Sequence, residues 1–186
     1  MNILIIGPPG VGKGTQAKLI TNELGIIHLS TGEILRKEIE NQSKVGVEAK
    51  FYIDKGEFIP DITILKIIRR RIACSDCLNG YILDGFPRTL PQAVGLDKIM
   101  KKLKHNLDIS ISLVADEKVL KKRLIERSLK YNRSDDMPAI IKKRQQIYWK
   151  QTAPLLKFYK SKGILKEING LGGIHKITAN ILDLLK

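Results

Sequence analysis

Short runs of β-favouring apolar residues recur along the chain at Asn2–Ile6, Ile26–Leu29, Tyr81–Leu83, Ile109–Val114 and Ile164–Ile168. Between them, apolar residues return at the three-and-four spacing of an amphipathic helix over Lys13–Leu24, Gly32–Glu40, Ile62–Ile72, Leu90–Leu103, Glu117–Ser128 and Ile140–Lys162. A last helical stretch, Ile174–Leu185, ends the pattern. Strands that alternate with helices predict an α/β fold: a five-stranded parallel sheet with helices on both faces, a three-layer sandwich with its ligands at the carboxyl ends of the strands. Residues 30–59, rich in polar residues and glycine, read as a small insertion able to move as a unit. No internal repeat or long linker divides the pattern, so residues 1–186 read as one domain.

Composition narrows the class. Apolar content of 43% and charged content of 28% are globular values, which excludes a disordered chain. No apolar run reaches the ~18–20 residues that span a bilayer. The first apolar run has no basic segment before it and stops at Gly7, so it reads as a strand and not a signal peptide, and a cytoplasmic enzyme is expected. Cys74 and Cys77 form a C-x-x-C, but no second cysteine pair or histidine pair completes a zinc set, and the pair follows a helix where a redox motif would open one. Two reduced structural cysteines are expected.

The net charge of +14 has two readings, a nucleic-acid or membrane footprint and an electrostatic funnel for small polyanions. Much of it lies in lysines scattered over helical faces, such as Lys98, Lys101, Lys118 and Lys121. Arginine is more telling. The chain holds 24 Lys but only nine Arg, so where a point charge suffices it uses lysine. Arginine offers a rigid fork that grips phosphate oxygens in pairs. Arg36, Arg88, Arg123, Arg127, Arg133 and Arg144 are therefore candidate phosphate ligands, while Arg69–Arg71 read as surface ion-pair partners.

Two segments carry chemistry. Gly7-Pro-Pro-Gly-Val-Gly-Lys-Gly-Thr15 follows a strand and opens a helix, the context of a phosphate loop: glycines at 7, 10, 12 and 14 let backbone N–H groups converge, and Lys13 reaches the outer phosphates. Gly14 stands where a metal-binding hydroxyl usually follows the lysine, which displaces that hydroxyl to Thr15. The second segment, YILDGFPRTLPQ, runs a strand into the carboxylate of Asp84, turns at Gly85 and Pro87, and then presents Arg88 and the amide of Gln92. Ser30 and Thr31 also suit a helix N-cap. Asp135 and Asp136 suit either the cap of a helix starting near Pro138 or pairing with nearby arginines. His28, His105 and His175 lack metal-ligand spacing and are expected to take no catalytic part.

With these residues in view, the chain resembles the nucleoside monophosphate kinases, and among them the adenylate kinases. GPPGVGKGTQ is similar to that family's phosphate loop, LSTGEILR (29–36) to its acceptor segment, GYILDGFPRTLPQA (80–93) to its signature, and RLIERSLKYNRSDD (123–136) with KKR (142–144) to its arginine-bearing lid. The resemblance covers essentially the whole chain. It implies a P-loop kinase domain with an AMP-binding insertion at about 30–59 and a short lid at about 128–136. It implies that Gly10, Val11, Gly12, Lys13, Gly14 and Thr15 hold ATP phosphates, with Arg123, Arg127 and Gly172 also on ATP. AMP would be held by Thr31, Arg36, Glu57, Phe58, Ile59, Gly85, Phe86, Pro87, Arg88, Gln92, Arg133 and Arg144. Lys13, Arg88, Arg127, Arg133 and Arg144 would act on the moving phosphoryl group, and Asp84 would anchor magnesium through water. Glu33 departs from the family's usual Asp. Only residues 128–132 separate Arg127 from Arg133, so the large lid of many relatives is absent and no zinc is expected.

The implied reaction is MgATP + AMP giving two ADP. Its acceptor is already an oxyanion, since the second pKa of a phosphate monoester is about 6, so no general base is required. The obstacle is repulsion between polyanions, which a lysine, magnesium and a ring of arginines address electrostatically. Gln92 can donate to adenine N1 and accept from its 6-amino group, yet the same amide turned over suits another base edge. A UMP/CMP kinase is thus the nearest rival. A nucleic-acid-binding P-loop protein is the rival of another class, opposed by the 5% aromatic content, too low for a base-stacking surface. The expected partners are ATP, AMP and ADP, with no membrane or nucleic acid, and a monomeric state.

Overall fold

The structure, a computed structural model, describes residues 1–131 and 134–186. Strands β1 (Asn2–Ile6), β2 (Ile27–Ser30), β3 (Tyr81–Asp84), β4 (Ile109–Val114) and β5 (Leu165–Asn169) form one sheet in the order β2-β3-β1-β4-β5. Every neighbouring pair is parallel. Helix α1 (Lys13–Leu24) follows β1, and α2 (Thr31–Glu40), α3 (Lys44–Asp54) and α4 (Asp61–Ile72) lie between β2 and β3. Helix α5 (Leu90–Leu103) joins β3 to β4, α6 (Glu117–Tyr131), α7 (Pro138–Ile147) and α8 (Pro154–Ser161) precede β5, and α9 (Ile174–Asp183) follows it.

Alternation along β1 makes the layers. Ile3 and Ile5 pack with Ala17 and Ile20 of α1 and Ile177 and Ile181 of α9, while Leu4 and Ile6 belong to the opposite core with Ile68 of α4, Leu96 of α5 and Leu155 of α8. Each is 5% exposed or less. Full burial of an Ile or Leu side chain contributes about 1.5–3 kcal/mol, so two apolar layers, one on each face, hold the sandwich together. The chain departs from central β1 toward neighbours on both sides, and the crevice at the carboxyl ends of β1, β3 and β4 follows from that topology.

Two elements differ from the pattern read in the sequence. The single helix expected over Ile140–Lys162 is two helices with a wider π turn, Tyr148–Thr152, between them. Pro154 has no N–H to give to the preceding turn, and the Ala153 N–H instead bonds the carbonyl five residues back, on Tyr148, at 2.9 Å. The insertion at 30–59 holds a second helix, α3, capped by the Ser43 hydroxyl on the Gly46 N–H at 2.9 Å. Its glycine and β-branched residues weaken the helical signal, and packing on α2 supplies what propensity lacks. The remaining strands and helices match the expected ones to within a few residues at their ends.

Candidate active site

The loop after β1 turns through Gly7–Gly12 into α1, whose first residue is Lys13. Gly12, the N-cap, has φ +100°, a conformation that L side chains rarely adopt. The N-terminus of α1, with its unpaired N–H groups and positive dipole end, opens onto a cleft of about 940 Å³. Lys13 folds back over the loop, its Nζ donating to Gly7 O at 2.7 Å and Pro8 O at 3.0 Å. Burial, followed by the charges of Arg88, Arg144 and Arg127, pushes its ammonium down to about 7 against the pull of Asp84. An anion entering this loop would restore the charge.

Asp84 ends β3 beside that loop and is 8% exposed. Burial works to raise its pKa, but the hydrogen bond from His28 together with Lys13 and Arg88 outweighs it and holds the carboxyl below its ordinary value. His28 Nε2 lies 3.2 Å from Asp84 Oδ2. The parallel register pairs His28 with Ile82 and Ser30 with Asp84, so His28 and Asp84 stand on one face of adjacent strands. A Cβ at Gly14 would lie 3.3 Å from Asp84 Oδ2, so the glycine leaves the space between loop and carboxylate open. An ionised carboxylate facing a phosphate loop across free space suits a hard cation such as magnesium.

Beyond β3 the chain turns at Gly85, whose φ is +80° and where a Cβ would meet Thr31 Oγ1 at 2.8 Å. Arg88 Nε donates to Gly85 O at 2.6 Å, and its guanidinium stands 5.1 Å from the centre of the Phe58 ring. Burial and then Arg144 lower Arg88 to about 10, which leaves it charged at neutral pH. The Thr152 hydroxyl, on the π turn, donates to Arg88 O at 2.8 Å and ties this segment to the α7–α8 region. Gln92 sits in the first turn of α5, only 2% exposed. Thr31 donates through Oγ1 to Asp84 O at 3.2 Å, and Ser30 caps α2.

Asp135 and Asp136 pair with arginines and do not cap α7, whose N-cap is Met137. Asp136 is 1% exposed and takes both Nε and Nη2 of Arg127 at 2.6 Å. Arg144 Nη1 reaches Asp136 Oδ1 and Asp135 Oδ2, each at 2.8 Å. Two arginines are thus oriented by two carboxylates at the wall of the cleft. Arg123 donates to Gly170 O at 3.1 Å, joining α6 to the end of β5.

The cleft is lined by Gly10, Val11, Gly12, Lys13, Gly14, Thr15, Thr31, Arg36, Glu57, Phe58, Ile59, Asp84, Gly85, Pro87, Arg88, Gln92, Arg123, Arg127, Arg144 and Gly172, all of them expected from the sequence. Phe86 is placed differently: at 1% exposed it belongs to the core under the turn. Arg133 lies outside the described residues. From the sequence His28 was given no part and Lys143 none beyond its place in KKR, and Asp61 and Thr152 were passed over. Strand alternation could have flagged His28, while the other three reach their partners only through folding. The Arg71–Asp76 pair at 2.7 Å is a surface ion pair as expected. Cys74 and Cys77 are free thiols.

Comparison with known proteins bears on this cleft. The family model described as adenylate kinase matches residues 5–164. A protein named adenylate kinase from Leptospira biflexa is 47% identical over 180 residues, 97% of each chain. Another of that name, from Bifidobacterium longum, is 44% identical over 186 residues, the whole of both chains. A third, from Clostridium botulinum, is 38% identical over 212 positions that cover all of this chain and 98% of its own. The last relative therefore carries residues with no counterpart here.

Proposed function

The chain belongs to the adenylate kinase family, and from the layout of its cleft we propose that its residues carry a reversible phosphoryl transfer from MgATP to AMP, giving two ADP. The observation that carries the assignment of roles is the meeting, in one cleft, of the glycine loop with Lys13 and the Gly85–Gln92 segment with Arg88. The loop from Gly10 to Thr15 holds the phosphates of ATP. Arg123 and Gly172 flank its base. Arg36 and Arg88 grip the phosphate of AMP, with Thr31, Gln92 and the backbone of Glu57–Ile59 around its base.

In the transfer, a phosphate oxygen of AMP forms a bond to the γ-phosphorus as the bond to the β–γ bridging oxygen breaks, leaving ADP on both sides. No proton need move, and the work of the protein is to hold two polyanions in line and neutralise charge on the migrating group. Lys13, Arg127 and Arg144 supply that charge, the two arginines already oriented by Asp136 and Asp135. For magnesium, the ionised Asp84 facing the loop across Gly14 fits, acting through bound water. Held there by Asp84, magnesium would supply positive charge against the phosphate oxygens. Water is the competing acceptor, so the segment 30–59 closes before transfer; the short lid expected at 128–136 includes residues outside those described.

The substrates in this reading are the free nucleotides, and the enzyme acts as a monomer in the cytoplasm. Among the described residues, no helix is long and apolar enough to cross a membrane. The deciding experiment is phosphoryl transfer from MgATP to AMP, CMP, UMP and GMP in parallel. Turnover with AMP far above the rest is expected, and a pyrimidine preference would move the acceptor while leaving the mechanism in place.

A further inference from the structure

The amide of Gln92 is held from two directions. The Arg88 backbone N–H donates to its Oε1 at 2.7 Å, and its Nε2 donates to Asp61 Oδ1 at 2.7 Å. Asp61 is the first residue of α4, and the Thr89 hydroxyl lies 3.4 Å from each of its carboxylate oxygens. Helices α4 and α5 thus close around Gln92, which is buried yet lines the cleft.

The two partners differ in kind, and that decides the orientation. A backbone N–H can only donate, and a carboxylate can only accept. Turning the amide over would set its carbonyl oxygen against the Asp61 carboxylate and its NH₂ against the Arg88 N–H. Both bonds would become repulsive contacts in a buried place, where unmade polar pairings are most costly. The amide therefore has one orientation. It has two N–H donors and two lone pairs, and the network uses one of each. One N–H and one lone pair remain, in an order that cannot reverse.

That order matters for a purine. The Watson–Crick edge of a 6-aminopurine offers an acceptor at N1 and a donor at the 6-amino group, and a 6-oxopurine reverses both. An amide free to turn would serve either. We propose that Asp61 is a specificity-determining positioning residue: by fixing Gln92 against rotation, it makes the acceptor site select a 6-aminopurine monophosphate over its 6-oxo counterpart. This rests on the reading that Gln92 faces the acceptor base. Asp61 does not touch the substrate and acts through Gln92.

The test compares kcat/KM for AMP and for inosine monophosphate, which differs at the 6-position edge, in the wild type, Asp61→Asn and Gln92→Ala. Asparagine keeps the shape but can donate as well as accept, so it removes the clash at position 61 and leaves only the Arg88 N–H to oppose the turned amide. Asp61→Asn should lower the AMP-to-IMP ratio by roughly tenfold, the worth of one well-made buried hydrogen bond. Equal losses with both acceptors, or an unchanged ratio, would overturn the role of Asp61. If Gln92→Ala also leaves the ratio unchanged, the base-facing reading of Gln92 fails; if it collapses the ratio while Asp61→Asn does not, only the lock fails. A second measurement needs no variant. In the nucleotide-free wild type, the Nε2 proton of Gln92 bonded to Asp61 should exchange slowly with solvent by NMR, and fast exchange of both side-chain amide protons would refute the lock.

Discussion

Lys13 meets two opposed demands. Burial and the neighbouring arginines push its ammonium down to about 7, yet gripping phosphate requires it charged. ATP should therefore bring a proton with it. At pH 8, calorimetric titrations in buffers of different ionisation enthalpy should show uptake of close to one proton per ATP, and affinity should fall roughly tenfold per pH unit above 7. Binding without proton uptake would contradict the depressed lysine. The same shift affects stability. The unfolded chain keeps this proton up to the ordinary 10.5 and the folded chain only to about 7. Between those values the unfolded state binds more protons, so the unfavourable contribution of Lys13 shrinks as pH rises through that window. Lys13→Ala should cut kcat by at least about 100-fold with the fold intact by circular dichroism. Arg88→Lys keeps a charge but loses the fork that spans Gly85 O and the cleft, so a fall of about tenfold or more in kcat/KM for AMP is expected from steady-state rates. Lys13 and Arg88 were legible in the sequence because a loop chemistry announces itself locally. Asp61 was not, because nothing near it in the chain indicates that it meets Gln92 across two helices.

Among the elements, α3 shows how packing overrides a weak local signal. A Cβ at Gly46 would lie 2.0 Å from Glu38 O and 2.4 Å from the Glu38 carbonyl carbon, so α3 crosses the end of α2 at glycine contact. Gly46→Ala should destabilise by about 1–3 kcal/mol through overpacking, visible as a lowered Tm. The next turn docks on α7. Gly56, at φ +65°, has Ile140 Cγ2 2.7 Å from where its Cβ would stand, and Lys143 Nζ reaches Glu57 Oε1 at 2.6 Å. Lys143 precedes Arg144, so this contact joins the 30–59 insertion to an arginine that the proposed mechanism uses. Glu57→Gln and Lys143→Met should each raise the KM for AMP, less so at high salt, and the charge-swapped pair Glu57→Lys with Lys143→Glu should recover part of the loss. Additive losses in the swapped pair would show that the contact has no coupling role. The sequence marks residues 30–59 as an insertion but not its docking face, since that contact spans residues 57 and 143.

Over the whole molecule, part of the positive charge lies at the cleft, which Lys13, Arg36, Arg88, Arg123, Arg127 and Arg144 all line. Cations outnumber the carboxylates Glu33, Glu57, Asp84 and Asp135 in the lining, and a cleft with a net positive field speeds the arrival of polyanions. The apparent second-order rate for AMP at low concentration should therefore fall as salt rises from 0.02 to about 0.5 M, where the Debye length shrinks to a few ångströms. If the charge instead served nucleic acid, a bound oligonucleotide would survive added ATP; displacement by ATP is the expected result, read by fluorescence anisotropy. The sandwich itself was legible because the strands are short segments rich in β-favouring apolar residues and the helices between them carry a periodic apolar stripe. The break at Tyr148–Thr152 was not, because a single apolar period runs through it and only the hydrogen bonds reveal the π turn.

Patterns local to the chain were enough to determine the alternating strands and helices, the glycine loop with its lysine, the carboxylate closing β3 and the choice of arginine for the candidate phosphate ligands. Those features depend on residues a few positions apart, whose spacing is itself the physical constraint. The pairing of Arg127 and Arg144 with Asp136, the hand His28 lends to Asp84, the seat of α3 on α2 and the hold of Asp61 on Gln92 were decided only by tertiary structure. Each joins groups on different elements. Their meeting is set by strand register within the sheet and by how the helices pack on it and on one another, which spacing along the chain does not encode.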